Sequence, residues 1–279
     1  MEMISKLLVV AGSGTYPELL VKGAKRAGVA RVEVLALKGS TSRATVKAAD
    51  ATVWFAVGSI AEAVRWAGRG GFDCAVLAGQ LNPLSLFRGR FEPEVKAWLA
   101  ELPVKNAHTI FSKLIEKFEA AGTRIRPASL FMEDCLPGVG VLTARGLTAA
   151  EAQDADHGFA VARDMGLHDV GQTVLVKAGM VLAVEAFEGT NAAIRRAGRL
   201  GRGSVLCKAA REGHDMRFDI PVIGLKTLKE MKSAQVTALA FQAGRLILLD
   251  REAVVRYADR HGIAIVGVDS HLPSAPVRL

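Results

Sequence analysis

Apolar residues come in short unbroken runs in the first third of the chain. Lys6–Ala11 (KLLVVA) is one such run, closed by Gly12-Ser13-Gly14 and followed by a helical pattern over Tyr16–Arg26. A run with no polar face predicts a strand covered on both sides, and the glycines predict a tight strand-to-helix turn. Val32–Leu37 and Cys74–Ala78 repeat the strand pattern, and Ser59–Trp66 reads as a helix ended by the glycine cluster at 68–71. Strands alternating with helices in this way predict a parallel, Rossmann-like sheet. Pro93–Leu102 and Thr109–Ala121 read as two more helices, after which Thr123–Leu136 is irregular and runs into Pro137-Gly138. The boundary is expected there: an N-terminal Rossmann-like domain over 1–127, a linker over 128–142 and a C-terminal domain over 143–279.

The second half has a different rhythm. Thr148 precedes the helical stretch Ala149–Met165 and is followed three residues later by Glu151, the spacing of a capping box. Thr173–Lys177 and Val181–Glu185 flank Ala178-Gly179-Met180 and read as a tight hairpin. Val236–Phe241 and Arg245–Leu249, joined across Ala243-Gly244, read as a second pair. Arg251–Arg260 and Ile263–Val268 complete the chain as a helix and a buried strand. The C-terminal domain is therefore expected to be mixed α/β, with hairpins on an α/β frame.

With half of its 279 residues hydrophobic and 23% charged, the chain can bury a core and is not of the disordered class. Its apolar runs fall far short of the roughly 20 residues that cross a bilayer. Met1–Lys6 lacks the features of a signal peptide, so a cytoplasmic location is expected. Cys74, Cys135 and Cys207 are far apart and suggest buried thiols rather than a disulfide framework or zinc site. The net charge of +8 suits an anionic partner, whether nucleic acid, a membrane surface or a phosphorylated substrate. The basic residues are scattered and the chain has only two tyrosines and three tryptophans, so no nucleic-acid partner is expected.

Gly12-Ser13-Gly14 sits where an open α/β sheet binds phosphate, after the first strand and at a helix N-terminus. Pro17 occupies the position of the third glycine of a dinucleotide fingerprint, and no P-loop is present, so a steric turn is the plain alternative. Gly79-Gln80-Leu81-Asn82-Pro83 follows another strand and could form the opposite wall of one crevice. Polar residues also gather around 169–172 and 185–191, where Thr190 could cap the helix carrying Arg195 and Arg196 with help from Glu188. Lys208 ends a strand. In the run 214–221, an extended backbone would put Asp215, Arg217 and Asp219 on one face, a set able to hold a hard cation and its phosphate. A surface ion pair is the alternative. The six histidines show no H-E-x-x-H, and G-x-S-x-G is absent.

Asp169-Val170-Gly171-Gln172, Val184–Thr190, Lys208 and Asp215–Gly224, with Gly262–Asp269, together resemble the UDP-2,3-diacylglucosamine pyrophosphatase family of lipid A biosynthesis, the LpxI type. The likeness covers nearly all of 145–269, and Ala11–Gly14 with Gly79-Gln80 resembles the family's substrate-binding loops. It implies two α/β domains with the substrate cleft between them, and Mg²⁺-dependent hydrolysis of UDP-2,3-diacylglucosamine to UMP and the acylated sugar 1-phosphate. It also implies Asp219 as the essential acid and metal ligand. Asp215 is the expected second metal ligand, and Lys208 and Arg217 the cations that neutralise the pyrophosphate. Gly12, Ser13, Gly14, Gln80, Gln172, Glu188, Gly189 and Thr190 would line the substrate site. The acylated substrate and the positive charge imply peripheral contact with the inner membrane, and a homodimer is the default expectation. There are departures: Asn106-Ala107-His108 stands where the family commonly has Gly-Asp-Asp, Glu212 and His214 replace the usual Pro and Gln, and Tyr16 replaces a leucine. The alternative is a non-hydrolysing protein of the same fold that binds a nucleotide sugar or acylated sugar phosphate.

Overall fold

Leu7, Leu8 and Val9 have no exposed surface, as the unbroken run of strand β1 (Lys6–Ala11) requires. The computed structural model describes residues 3–80, 91–210, 215–218 and 220–269. They form two compact units: one runs to Glu133 and takes back the short segment that begins at Asp215, and the other runs from Asp134 and resumes at Ile220.

In the first unit, β1 leads through α1 (Tyr16–Arg26), β2 (Arg31–Leu37), α2 (Arg43–Ala48), β3 (Ala51–Phe55) and α3 (Ile60–Arg69) to β4 (Cys74–Ala78). Helices α4 (Pro93–Ala100) and α5 (Ala107–Ala120) precede the short β5 (Ile125–Arg126). The sheet is wholly parallel, in the order β3-β2-β1-β4-β5. This is the expected Rossmann-like arrangement, with the strand order reversing between β1 and β4. α2 and β3 do not stand out in the sequence because β3 is an edge strand with Trp54 44% exposed, so its burial is incomplete and its pattern weak.

In the second unit, β6 (Gly140–Val141) precedes α6 (Ala149–Leu167), then β7 (Thr173–Lys177), β8 (Met180–Val184), α7 (Thr190–Leu200) and β9 (Val205–Lys208). β10 (Val222–Ile223), α8 (Leu225–Ser233), β11 (Ala238–Gln242), β12 (Ile247–Leu248), α9 (Arg251–Arg260) and β13 (Ala264–Val268) follow. The six-stranded sheet runs β6-β13-β11-β9-β7-β8, parallel through its centre and antiparallel at both edges. Period-two alternation sorts its side chains between two cores. Leu175, Leu206, Leu239 and Ile265 pack with α7, α8 and α9, whereas Val174, Val176, Cys207 and Ala240 pack with α6.

The expected hairpin at 178–180 is present. Ala178 and Gly179 both take positive φ (49° and 77°), the pairing of a type I′ turn, and the Asp154 carboxylate accepts their two amides at 2.9 and 2.7 Å. The second expected hairpin is not. β11 is already paired on both sides, with β9 and β13, so it has no free edge for the residues that follow it; β12 pairs in parallel with β10 in a separate two-stranded sheet.

The capping box also forms: Glu151 N donates to Thr148 Oγ1, and Thr148 N to Glu151 Oε2. Arg145 grips the same carboxylate with two nitrogens at 2.8 and 3.0 Å and donates to the Thr237 and Gly262 carbonyls, tying α6 to β11 and α9. Burial pushes the Glu151 carboxyl up, but Arg145 and the Thr148 amide outweigh it and hold the group at about 2 instead of 4.5. A carboxylate depressed in the folded state stabilises above its unfolded value and loses that contribution as pH falls towards the folded one. Urea unfolding should therefore show stability declining from about pH 4.5 towards about pH 2. Glu151→Gln should be less stable at neutral pH and decline less steeply over that window; identical slopes would refute the assignment.

Candidate functional site

The loops after β1 and β4 meet at the point where the strand order reverses. Ser13 and Gln80 form an antiparallel bridge, Ser13 N donating to Gln80 O at 2.8 Å and Gln80 N to Ser13 O at 3.0 Å, with Ser13 Oγ on the same Gln80 carbonyl at 2.9 Å. Glycine is required on both sides of this contact. A Cβ on Gly12 would lie 2.6 Å from the Gln80 carbonyl oxygen, and one on Gly79, whose φ is +90°, would lie 2.6 Å from that of Ser13. Four of the expected binding residues, Gly12, Ser13, Gly14 and Gln80, are thus brought together at the carboxyl end of the sheet, where open α/β folds take ligands. Asn82 and Pro83 lie outside the described residues.

Beside these loops, the same unit holds an apolar cavity of about 110 Å³. Its floor is the ends of β1, β2 and β4, at Val10, Leu37 and Leu77, and its walls include Val95 and Trp98 of α4 and Phe111 of α5. The cavity reaches Gly12 and Gly79, so apolar space adjoins the paired loops directly.

The Asp215–Phe218 segment belongs to this first unit. It is a turn, not the extended strand expected: Phe218 N donates to Asp215 O at 3.2 Å, and Ala128 N to Met216 O at 2.8 Å. Arg217 folds back onto Asp215, its Nη2 2.7 Å from Oδ2 and its Nε 2.9 Å from Oδ1, and also reaches Glu119 at 3.2 Å. Phe218 stacks on Phe111 with centroids 5.3 Å apart. This local ion pair and ring contact win over the period-two pattern. The Arg217 hydrogen bond holds the Asp215 carboxyl below the usual carboxylate range despite partial burial. Asp219, the expected catalytic acid, lies outside the described residues, as do Glu212 and His214. Among the described residues no three His, Cys, Asp or Glu side chains cluster as a metal site.

The second unit holds the other group. Lys208 ends β9 and is only 4% exposed. Its ammonium donates to Thr173 Oγ1 at 2.7 Å and Thr190 Oγ1 at 3.0 Å, with Glu185 Oε2 at 3.4 Å; Thr190 Oγ1 donates in turn to Glu185 Oε1 at 2.7 Å. Burial pushes the Glu185 carboxyl up, but the Lys208 charge and the hydroxyl hydrogen bonds prevail and keep it below its ordinary value. Thr190 therefore does not cap α7, because its hydroxyl serves the buried ion pair; the cap position is Gly189, at φ +81°. Glu188 points elsewhere, to Arg196 at 2.6 Å. Gln172 precedes Thr173, and its carbonyl accepts Ala209 N at 3.0 Å. The Asn191 Oδ1 is buried without a protein partner among the described residues.

Thr173 is read in the sequence only as the start of a strand, and Glu185 only as one of the polar residues at 185–191, so neither is expected in a buried ion-pair cluster. They are opposed across the β7–β8 hairpin, Glu185 N donating to Thr173 O at 2.8 Å, so the register of that hairpin was the signal that could have found them. Asn106, which stands where an acidic pair was expected, is the N-cap of α5, its Oδ1 accepting Thr109 N at 2.9 Å. Tyr16 donates its hydroxyl to the Ala128 carbonyl.

Comparison with known proteins matches residues 6–135 to the LpxI N-terminal domain and 138–266 to the LpxI C-terminal domain. The chain is 31% identical over 280 aligned residues to the UDP-2,3-diacylglucosamine pyrophosphatase LpxI of Caulobacter vibrioides, spanning 95% of this chain and 98% of that one. The chain belongs to the LpxI family. Among solved structures it is weakly similar to the biotin carboxylase domain of a thermophilic 2-oxoglutarate carboxylase, at 16% identity and a TM-score of 0.28, covering 62% of this chain and 35% of that one. The biotin carboxylase subunit of pyruvate carboxylase gives 17% identity and 0.28, covering 74% of this chain and 38% of that one. Likenesses this weak carry no argument. Gly79 combines a positive φ with the close approach to Ser13. Gly79→Ala should cost roughly 1–3 kcal/mol for the unfavourable φ, read as a lower urea midpoint, with Ser13→Ala costing less. Equal costs would place the constraint elsewhere.

Proposed function

We propose that the chain hydrolyses the pyrophosphate bond of UDP-2,3-diacylglucosamine, water adding across it to give UMP and 2,3-diacylglucosamine 1-phosphate, a step of lipid A biosynthesis. The observation that carries this reading is the end-to-end similarity to the Caulobacter vibrioides LpxI pyrophosphatase. Two features of the first unit support it. The paired loops place the start of α1, whose first-turn amides have no acceptor within the helix, at the carboxyl end of the sheet, suited to a diphosphate. The adjoining cavity is lined almost wholly by apolar side chains, suited to an acyl chain.

Asp219 is assigned as the essential carboxylate, orienting the attacking water or holding a divalent ion. Its donor type suits Mg²⁺, which takes one or two carboxylates and completes its shell with water and phosphate oxygens. Asp215 could join only by loosening its hold on Arg217. When bound, the ion would neutralise charge on the diphosphate. Arg217, with a free share of its guanidinium beyond Asp215 and Glu119, is assigned to the leaving phosphate. In the second unit, Lys208 and Glu185 fix Thr190 and the start of α7; Gln172, Gly189 and Thr190 are assigned to substrate binding, while Glu188 is held by Arg196. Asn191 Oδ1 is an acceptor available to a ligand donor. Asn106, at the position of the missing acidic pair, caps α5.

No helix among the described residues is long and apolar enough to cross a membrane. The substrate is a lipid, so the enzyme is assigned to the cytoplasmic face of the inner membrane as a peripheral protein. Release of UMP from UDP-2,3-diacylglucosamine by the purified chain should require Mg²⁺ and stop with excess chelator. Asp219→Ala should lower turnover by on the order of a thousandfold while substrate still binds. Wild-type turnover in that variant would contradict the role of Asp219, and no release by the wild type would contradict the activity.

A further inference from the structure

The two helical layers of the second unit carry opposite charge. α7, α8 and α9 together hold nine lysines and arginines against three acids, whereas α6, on the other face of the sheet, holds four acids against Arg163. Of the acids on the basic side, Glu230 is already paired with Arg195 at 3.0 Å. The ends of α7 and α8 lie together: a Cβ on Gly198 would sit 2.7 Å from that of Ala234, and Gly203 N donates to Gln235 O at 2.7 Å. The tip of the β7–β8 hairpin joins them, with Lys177 Nζ 3.4 Å from the Cβ position of Gly203 and Leu182 3.2 Å from that of Gly201. Lys177, Arg199, Arg202, Lys229 and Lys232, carried by these elements and the turn after α7, are all exposed. The same elements carry Leu200, 65% exposed, and Met180, 64% exposed and paired across the hairpin with Lys177.

A solvated basic face needs no apolar residues, whereas a face that meets a lipid surface needs both kinds. Cations are drawn to anionic head groups, and apolar side chains enter the boundary between head groups and acyl chains. We propose that this end of the second unit, built on Arg199, Leu200, Arg202, Lys229, Lys232 and Met180, docks on an anionic phospholipid bilayer. The proposal rests on the reading that the substrate is a membrane lipid, and it names the surface through which the enzyme reaches it. None of the residues named for the patch is an aromatic that could stack on a base, as a nucleic-acid groove would need.

The test is sedimentation of the full-length chain, without substrate, with vesicles of phosphatidylglycerol and phosphatidylcholine or of phosphatidylcholine alone. The anionic vesicles should retain the protein, the neutral ones should not, and salt should weaken retention. Each cation removed should weaken binding about fivefold, the factor corresponding to ~1 kcal/mol. Replacing Arg199, Arg202, Lys229 and Lys232 by Gln should therefore weaken it by about two orders of magnitude or more, and Leu200→Ser should weaken it without changing the salt dependence. UMP release from detergent-dispersed substrate should be unchanged in both variants. Equal retention on the two vesicle types, wild-type binding by the fourfold variant, tighter binding to duplex DNA than to the anionic vesicles, or loss of a dimer in its place would each overturn the proposal. Vesicle binding without UMP release would leave the surface standing and overturn the enzymatic reading instead.

Discussion

A lysine ammonium with 4% exposure at the end of β9 must be compensated inside the protein, and that requirement organises the second unit's polar face. Removing an ion from water costs several kcal/mol unless close partners replace the lost solvation. Thr173 at the start of β7, Glu185 after β8 and Thr190 at the start of α7 supply that replacement for Lys208. One buried charge thus fixes three chain segments at once: the start of the hairpin, its return and the helix that follows. It also explains why Thr190 gives up helix capping, because its hydroxyl is worth more to the ion pair than to the helix end. Buried pairs of this kind seldom add stability over well-packed apolar residues. Their retention is better explained by what they hold in place.

The first unit solves a different constraint. Parallel strands covered on both faces direct their carboxyl ends to one edge, and between β1 and β4 the two outgoing loops come close enough to pair. Only glycine at 12 and 79 permits that approach. The consequence is a backbone cradle beside an apolar cavity, in keeping with a ligand that is charged at one end and greasy at the other. In the second unit the sheet is covered by one acidic and one basic helical layer.

Much of this was legible because burial leaves a local signature. The apolar runs of β1, β2 and β4, the Thr148/Glu151 box and the Ala178-Gly179 turn each encode their structure within a few residues. What failed was non-local. Whether Val236–Phe241 turns back on itself depends on β9 and β13 taking both its edges, which no window around Gly244 reveals. The Asp-x-Arg-x-Asp run reads as extended because its polar residues alternate, but the Asp215–Arg217 pair and the docking of Phe218 on Phe111 curl it into a turn. In the candidate site, Lys208, Glu185 and Thr190 fall in motif stretches, whereas Thr173 and its pairing with Glu185 become visible only through the hairpin.

The Lys208–Glu185 assembly holds Thr190 and the start of α7 in place and adds little to folding stability. The decisive measurement is a paired comparison of stability and UMP release in the variant Lys208→Met, Glu185→Leu, Thr173→Val, which replaces the buried polar set by apolar groups of similar size. Urea stability is expected within about 1 kcal/mol of wild type or above it, together with turnover reduced by on the order of a hundredfold or more. A folded variant that retains wild-type turnover, or one that fails to fold, would contradict it.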